Sequence, residues 1–291
     1  MRLAAGPLRL ELEPATGGAV TRFDLVVRGR ATPLFRAGPD SITDVLQAGC
    51  FPLVPFCNRV RDGRFSFGGR EVVLAPNLSP QRHPLHGQGW RAPWRVTSQA
   101  ETTADLAYLH APGEWPWAYE ASQRFRLSSD RLELELSCRN TSAETMPCGL
   151  GLHPFFTAAA DTLLDTDVEH VWTVDEEVMP VERVPATGRY ALRQRRISGA
   201  GLDNGYEGWS GEARIDWPAA GLALTIRSSD CTRFQVYAPP EGGLFCAEPV
   251  TNANDVFSRP VEQWEASGLR LLAPGETLSM TATFEVSGTS A

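Results

Sequence analysis

Residues 131–140, RLELELSCRN, read as one half-buried β-strand. Leu132, Leu134, Leu136 and Cys138 fall on one face, and Glu133, Glu135 and Ser137 on the other. A repeat of two residues is the strand period, whereas a helix would scatter the same leucines around its circumference. Working outward, the alternation returns in GLALTIRSS, with Leu222, Leu224 and Ile226 on one face. It returns again in SMTATFEV, with Met280, Ala282, Phe284 and Val286. RFQVYAP is a shorter strand closed by proline, and the clusters DGRFSFGGR, SSDR, PPEGG and APGE read as turns. Helical spacing is confined to Asp40–Ala48 and Val261–Ser267, one or two turns each. Many short strands joined by Gly/Pro turns predict an all-β sandwich or barrel. No linker, internal repeat or low-complexity segment divides the chain, so residues 1–291 read as a single domain.

A chain of 291 residues is long enough to bury a sizeable core. Its formal net charge is −8, which argues against nucleic acid or an anionic membrane surface as partner. There is no lysine, so all 27 basic residues are arginine. The N-terminus, MRLAAGPLRLELEP, lacks the apolar segment of an export signal, and no run approaches ~18 apolar residues. The expectation is a soluble cytoplasmic protein. Cys50, Cys57, Cys138, Cys148, Cys231 and Cys246 form no CxxC pair and mostly sit among apolar residues. They read as buried thiols in a reducing compartment, with no disulfide or zinc framework. The oligomeric state, monomer or homodimer, is left open.

Glu248 is a lone acid in FCAEPVTNAND, residues 245–255, at the end of an apparently buried strand. A carboxylate there is costly unless paired or hydrogen-bonded, or unless a raised proton affinity is useful. His153 sits in GLGLHPFF among apolar neighbours, where a single histidine is more often a satisfied core residue. His83 and His86 share the Gly/Pro loop RHPLHGQGW, whereas His110 and His170 read as exposed. Arg59 follows Asn58 at the end of an apolar run, and its ordinary role would be a salt bridge. Asp203, in GLDNGYEGW, fits an ordinary turn.

Taken in order, NRVRDGRFSFGGREVVLAPN, HPLHGQGW, GLHPFF, GLDNGYEGW and AEPVTNANDVFS change those odds. The succession resembles the aldose 1-epimerase (galactose mutarotase) family over roughly residues 45–265. The resemblance implies a large antiparallel β-supersandwich with few short helices and an open sugar groove. It implies anomer interconversion of a free aldose, with a small monosaccharide as partner and no cofactor or metal. It makes Glu248 the catalytic base and His153 the general acid. It places His86 near the ring oxygen, Arg59 and Asp203 on sugar hydroxyls, and Asn58 and Trp90 beside the sugar. Leu152 and the TNAND stretch depart from the family pattern, which leaves substrate identity open.

Three other readings compete. A non-catalytic carbohydrate-binding sandwich would need a groove but no paired acid and base. A metal site would draw on His83, His86, His153 and Glu248 as ligands. A mutarotase for an anionic sugar, phosphorylated or sulfonated, would need extra arginine in the groove, with Arg82 and Arg91 as candidates.

Overall fold

The structure, a computed structural model, describes residues 1–288. Two large antiparallel sheets dominate. The nine-stranded sheet runs in the order Arg195–Arg196, Leu163–Thr166, Glu212–Trp217, Leu222–Arg227, Thr277–Gly288, Arg131–Asn140, Tyr119–Leu127, Thr103–His110, Arg95–Gln99. The eight-stranded sheet runs Pro180–Pro185, His170–Val174, Leu202–Glu207, Arg233–Ala238, Gly243–Val250, Gly151–Leu152, Pro52–Leu53, with Phe155–Ala158 also paired to Gly243–Val250. A four-stranded sheet, Arg2–Pro33, and two small ribbons complete the strands. The fold is therefore the all-β supersandwich that the sequence predicts. Helical structure among the described residues is confined to short 3₁₀ turns. They include Val45–Gln47, capped by the Asp44 side chain, and Val261–Gln263, each inside an expected helical window. No helix among the described residues is long and apolar enough to cross a membrane.

The strand Arg131–Asn140 buries the leucine face and leaves the glutamate face half-exposed, as its alternation requires. Arg124 and Arg126 on the neighbouring strand pair with Glu135 and Glu133 on that outer face. Leu222–Arg227 departs from expectation, because Ala223 and Thr225 are buried along with Leu222, Leu224 and Ile226. Its position inside the sheet, covered on both faces, is the reason. All six cysteines are buried and free. His110 and His170 are half-buried, not exposed. His110 stacks on Tyr119 at 4.8 Å with its Nε2 against the Trp115 carbonyl, and His170 meets the Arg183 guanidinium.

One register brings the His153 segment against the strand of Glu248. Gly151 lies opposite Val250 and Phe155 opposite Cys246, both on the same edge of Gly243–Val250. His153 and Pro154 fall in the gap between the two short strands. The shared register sets His153 opposite Glu248. On the other edge, Gln235 lies directly opposite Glu248. The close approach that keeps this register tight needs Gly151. A Cβ there would stand 2.7 Å from Cys57 Sγ and 2.8 Å from Val250 Cγ1.

Candidate active site

Glu248 and His153 meet within a cavity of about 460 Å³, a size ordinary for small-ligand sites. His153 Nε2 is 3.4 Å from Glu248 Oε1, and Glu248 is buried. Asn58, Arg59, His86, Trp90 and Asp203 line the same cavity. All seven residues singled out for the sugar site are therefore brought together, from segments nearly 200 positions apart.

Burial sets the proton affinities. It pushes the Glu248 carboxyl well above the usual range, helped by the Asp203 charge and opposed by Arg59. It pulls His153 down to about 3, with the Arg36 cation also disfavouring an imidazolium. His153 Nδ1 is buried without a hydrogen-bond partner, so no acceptor compensates a protonated ring on that side. Stacking holds the ring instead, against Phe51 at 4.6 Å and Phe155 at 4.7 Å. Two neighbouring titratable groups displaced in opposite directions are a recurrent mark of acid–base sites.

The loop histidine is built differently. His86 Nδ1 accepts the Asn58 backbone N–H at 3.1 Å, and Asn58 O accepts the His86 N–H at 3.0 Å. With Nδ1 occupied as an acceptor, Nε2 carries the proton of the neutral ring. Burial keeps the ring neutral by holding its proton affinity well below the ordinary value. Asn58 and His86 both adopt left-handed backbone, at φ 64° and 60°. Such positions are uncommon for side-chain-bearing residues and cluster where geometry is functionally constrained.

Arg59 donates to Asn58 Oδ1 at 3.0 Å and faces Asp203 at 3.8 Å. Asp203 is not in a turn. It is the second residue of the strand Leu202–Glu207, where it accepts from Gln235 Nε2 at 2.9 Å. Gln235 links Asp203 to the strand position facing Glu248, a role that an uncharged strand residue does not advertise in sequence. The TNAND stretch also proves structural. Asn252 Oδ1 accepts Cys57 N–H, Asn254 Oδ1 accepts Arg59 N–H, and Asp255 Oδ1 accepts Arg61 N–H, at 3.1, 3.1 and 3.0 Å. These side chains satisfy, residue by alternate residue, the backbone that carries Arg59.

Trp90 lines the cavity with its ring 5.5 Å from His86 and 5.4 Å from Phe51. Trp94, Trp115, Trp117 and Trp209 are core residues. The four-residue metal set is not assembled. His83 turns away, its Nδ1 accepting Asp62 N–H at 3.0 Å and its Nε2 lying 3.6 Å from Glu177. The donors that do converge are His153, Cys246 and Glu248, within 4.8 Å of one another. Burial raises both the Cys246 thiol and the Glu248 carboxyl, so two of the three would have to lose protons against burial to bind a cation. Arg82 pairs with Asp62 and Glu177 at the surface, and Arg91 lies on the Trp90 ring at 4.4 Å. Neither lines the cavity.

Comparison with known proteins matches this arrangement to a family. The aldose 1-epimerase family model matches residues 14–285. The uncharacterized protein YphB of Escherichia coli K12 is 34% identical over 98% of this chain and 97% of its own. A crystal structure of an Escherichia coli K12 protein proposed to be an aldose 1-epimerase superposes with a TM-score of 0.87 at 32% identity, covering 99% of this chain and 98% of that one. A galactose mutarotase-like protein of Clostridium acetobutylicum shares the fold at a TM-score of 0.86 and 17% identity, over 99% and 95% of the two chains. By the family match and the extent of these similarities, the chain belongs to the aldose 1-epimerase family.

Proposed function

We propose that this protein interconverts the α and β anomers of a free aldose by opening and reclosing the sugar ring. The observation that carries this reading is the His153–Glu248 pair, 3.4 Å apart in a sugar-sized cavity with proton affinities displaced in opposite directions. In the closed ring, Glu248 as carboxylate takes the proton of the C1 hydroxyl while protonated His153 gives one to the ring oxygen O5. The C1–O5 bond breaks and an aldehyde forms. Rotation about C1–C2 presents the other carbonyl face. O5 then attacks C1, Glu248 returns its proton to the aldehyde oxygen, and His153 recovers the proton from O5. Two protons move, and the pair gains none overall.

Burial favours the uncharged pairing, carboxylic acid with neutral imidazole, over carboxylate with imidazolium. The uncharged pairing is the one that accompanies the open aldehyde, so desolvation favours the ring-opening transfer. His86 would donate its Nε2–H where negative charge develops on oxygen, without itself changing charge. Arg59 and Asp203 would hold hydroxyls, and Trp90 would offer an aromatic edge to the site. The cycle uses no cofactor. A site that only binds sugar has no use for this displaced pair.

A second reading, an anionic sugar, is supported by a different arginine from those expected. Arg36 lines the cavity, stacks 4.0 Å over Phe155 and has no carboxylate partner among the described residues. One of its terminal nitrogens, however, already donates to the Leu46 and Ala48 carbonyls, both at 2.5 Å. The test is polarimetry on freshly dissolved α-anomers of neutral and 6-anionic aldoses, with and without chelator. Accelerated relaxation that chelation leaves unchanged supports the proposal. No acceleration on any aldose, or loss on chelation with recovery on metal return, overturns it.

A further inference from the structure

The cavity holding Glu248 adjoins a second, open cavity of about 420 Å³. The two share Asp203, Tyr237, Pro239 and Glu241 as lining. Asp203 and Tyr237 are register partners on neighbouring strands, so this pair forms the boundary between the cavities. Glu248, His153, His86 and Arg59 line the first cavity and not the second, where Arg189 and Tyr190 appear instead. The Arg189 guanidinium lies 5.0 Å over the Tyr190 ring and donates to Gly201 O. Tyr190 belongs to the 3₁₀ turn Gly188–Tyr190, outside the sheet strands, and packs in part against the main core.

The strand of Asp203 stands two places from the strand of Glu248. At the usual strand spacing this is roughly 10 Å across the sheet. A single sugar ring with its hydroxyls bridges that distance. With the reacting C1 at Glu248, the far end of the ring reaches Asp203 at the edge of the second cavity. Aromatic rings beside charged and amide groups suit a saccharide, whose C–H faces pack on rings while its hydroxyls take hydrogen bonds.

The geometry points to a second saccharide subsite beyond the Asp203–Tyr237 boundary, so that the substrate class includes reducing disaccharides and short oligosaccharides anomerised at their reducing end. This inference rests on the anomerisation reading for the orientation of the bound sugar. The test compares glucose with maltose and isomaltose. For the wild type, kcat/KM is expected to be about tenfold higher on at least one disaccharide than on glucose, and Tyr190→Ala is expected to remove that advantage while leaving glucose turnover within about twofold. Equal kcat/KM on all three sugars, or an equal loss on glucose and disaccharide in Tyr190→Ala, overturns the subsite. Calorimetric titration of Glu248→Gln reads the subsite without turnover. A disaccharide Kd about tenfold below that of glucose supports it even if the rate reading fails, and equal Kd values overturn it.

Discussion

Asn254→Ala tests whether the TNAND stretch holds the sugar-binding backbone. Asn254 is buried, its Oδ1 accepts the buried Arg59 N–H at 3.1 Å, and its Nδ2 donates to Val178 O at 3.0 Å. Truncation leaves the Arg59 N–H without its partner, at a cost of about 1–3 kcal/mol. The Val178 carbonyl sits in a part-buried contact, and losing its donor costs about 1 kcal/mol more. The sum, about 2–4 kcal/mol, should lower the melting temperature by about 5–10 °C. Denaturant unfolding at neutral pH should show the midpoint falling with m unchanged. Because the lost bond is to the backbone of Arg59, KM should rise more than kcat falls. A variant within about 0.5 kcal/mol of wild type, or one that loses stability with KM untouched, would refute the supporting role assigned to Asn254.

Glu248 should make the fold less stable as pH rises, because burial lifts its carboxyl above the unfolded-state value. The native state therefore holds that proton longer than the unfolded chain, and stability is lost from about pH 4.5 upward through the raised value. Glu248→Gln removes this penalty, so its melting temperature should exceed wild type increasingly between pH 5 and 9, and a gap that shrinks with rising pH would contradict the burial argument. His153, depressed to about 3, should make wild type lose stability as pH falls from about 6.5 toward that value, and His153→Asn should flatten this loss. The kcat/KM profile should be flat through pH 6.5, since the pair holds one proton between its lower and upper macroscopic steps. An acidic limb centred near 6.5 would show that an ordinary solvated histidine controls the rate.

The alternation in Arg131–Asn140 is legible because that strand has one face buried and one half-exposed. Leu222–Arg227 carries a weaker signal, since burial on both faces lets Ala223 and Thr225 sit among the leucines. Glu248 stands out as a charge in an apolar strand, whereas Gln235 beside it is neutral and carries no such signal. Asp203 resembles a turn residue because glycines bracket it. In the sheet, Gly205 instead leaves room beside Gln235, where an added Cβ would come within 3.2 Å of Gln235 Oε1. The roles of Asn252, Asn254 and Asp255 depend on backbone groups about 195 positions away, a relation that local patterns do not carry. His83 and His86 share one loop and look alike in sequence. Only the fold directs one to the cavity and the other toward Asp62 and Glu177.

The central claim, that Glu248 moves the C1 proton, is tested most directly by NMR saturation exchange between anomers with Glu248→Gln. The amide keeps the shape of the carboxyl and removes the base. The exchange rate on the best substrate should fall by about 10²–10⁴-fold while the sugar Kd from titration changes little. His153→Asn should fall comparably, and the double variant should be little worse than the poorer single one. An exchange rate in Glu248→Gln close to wild type, with sugar still bound, would remove Glu248 from the reaction.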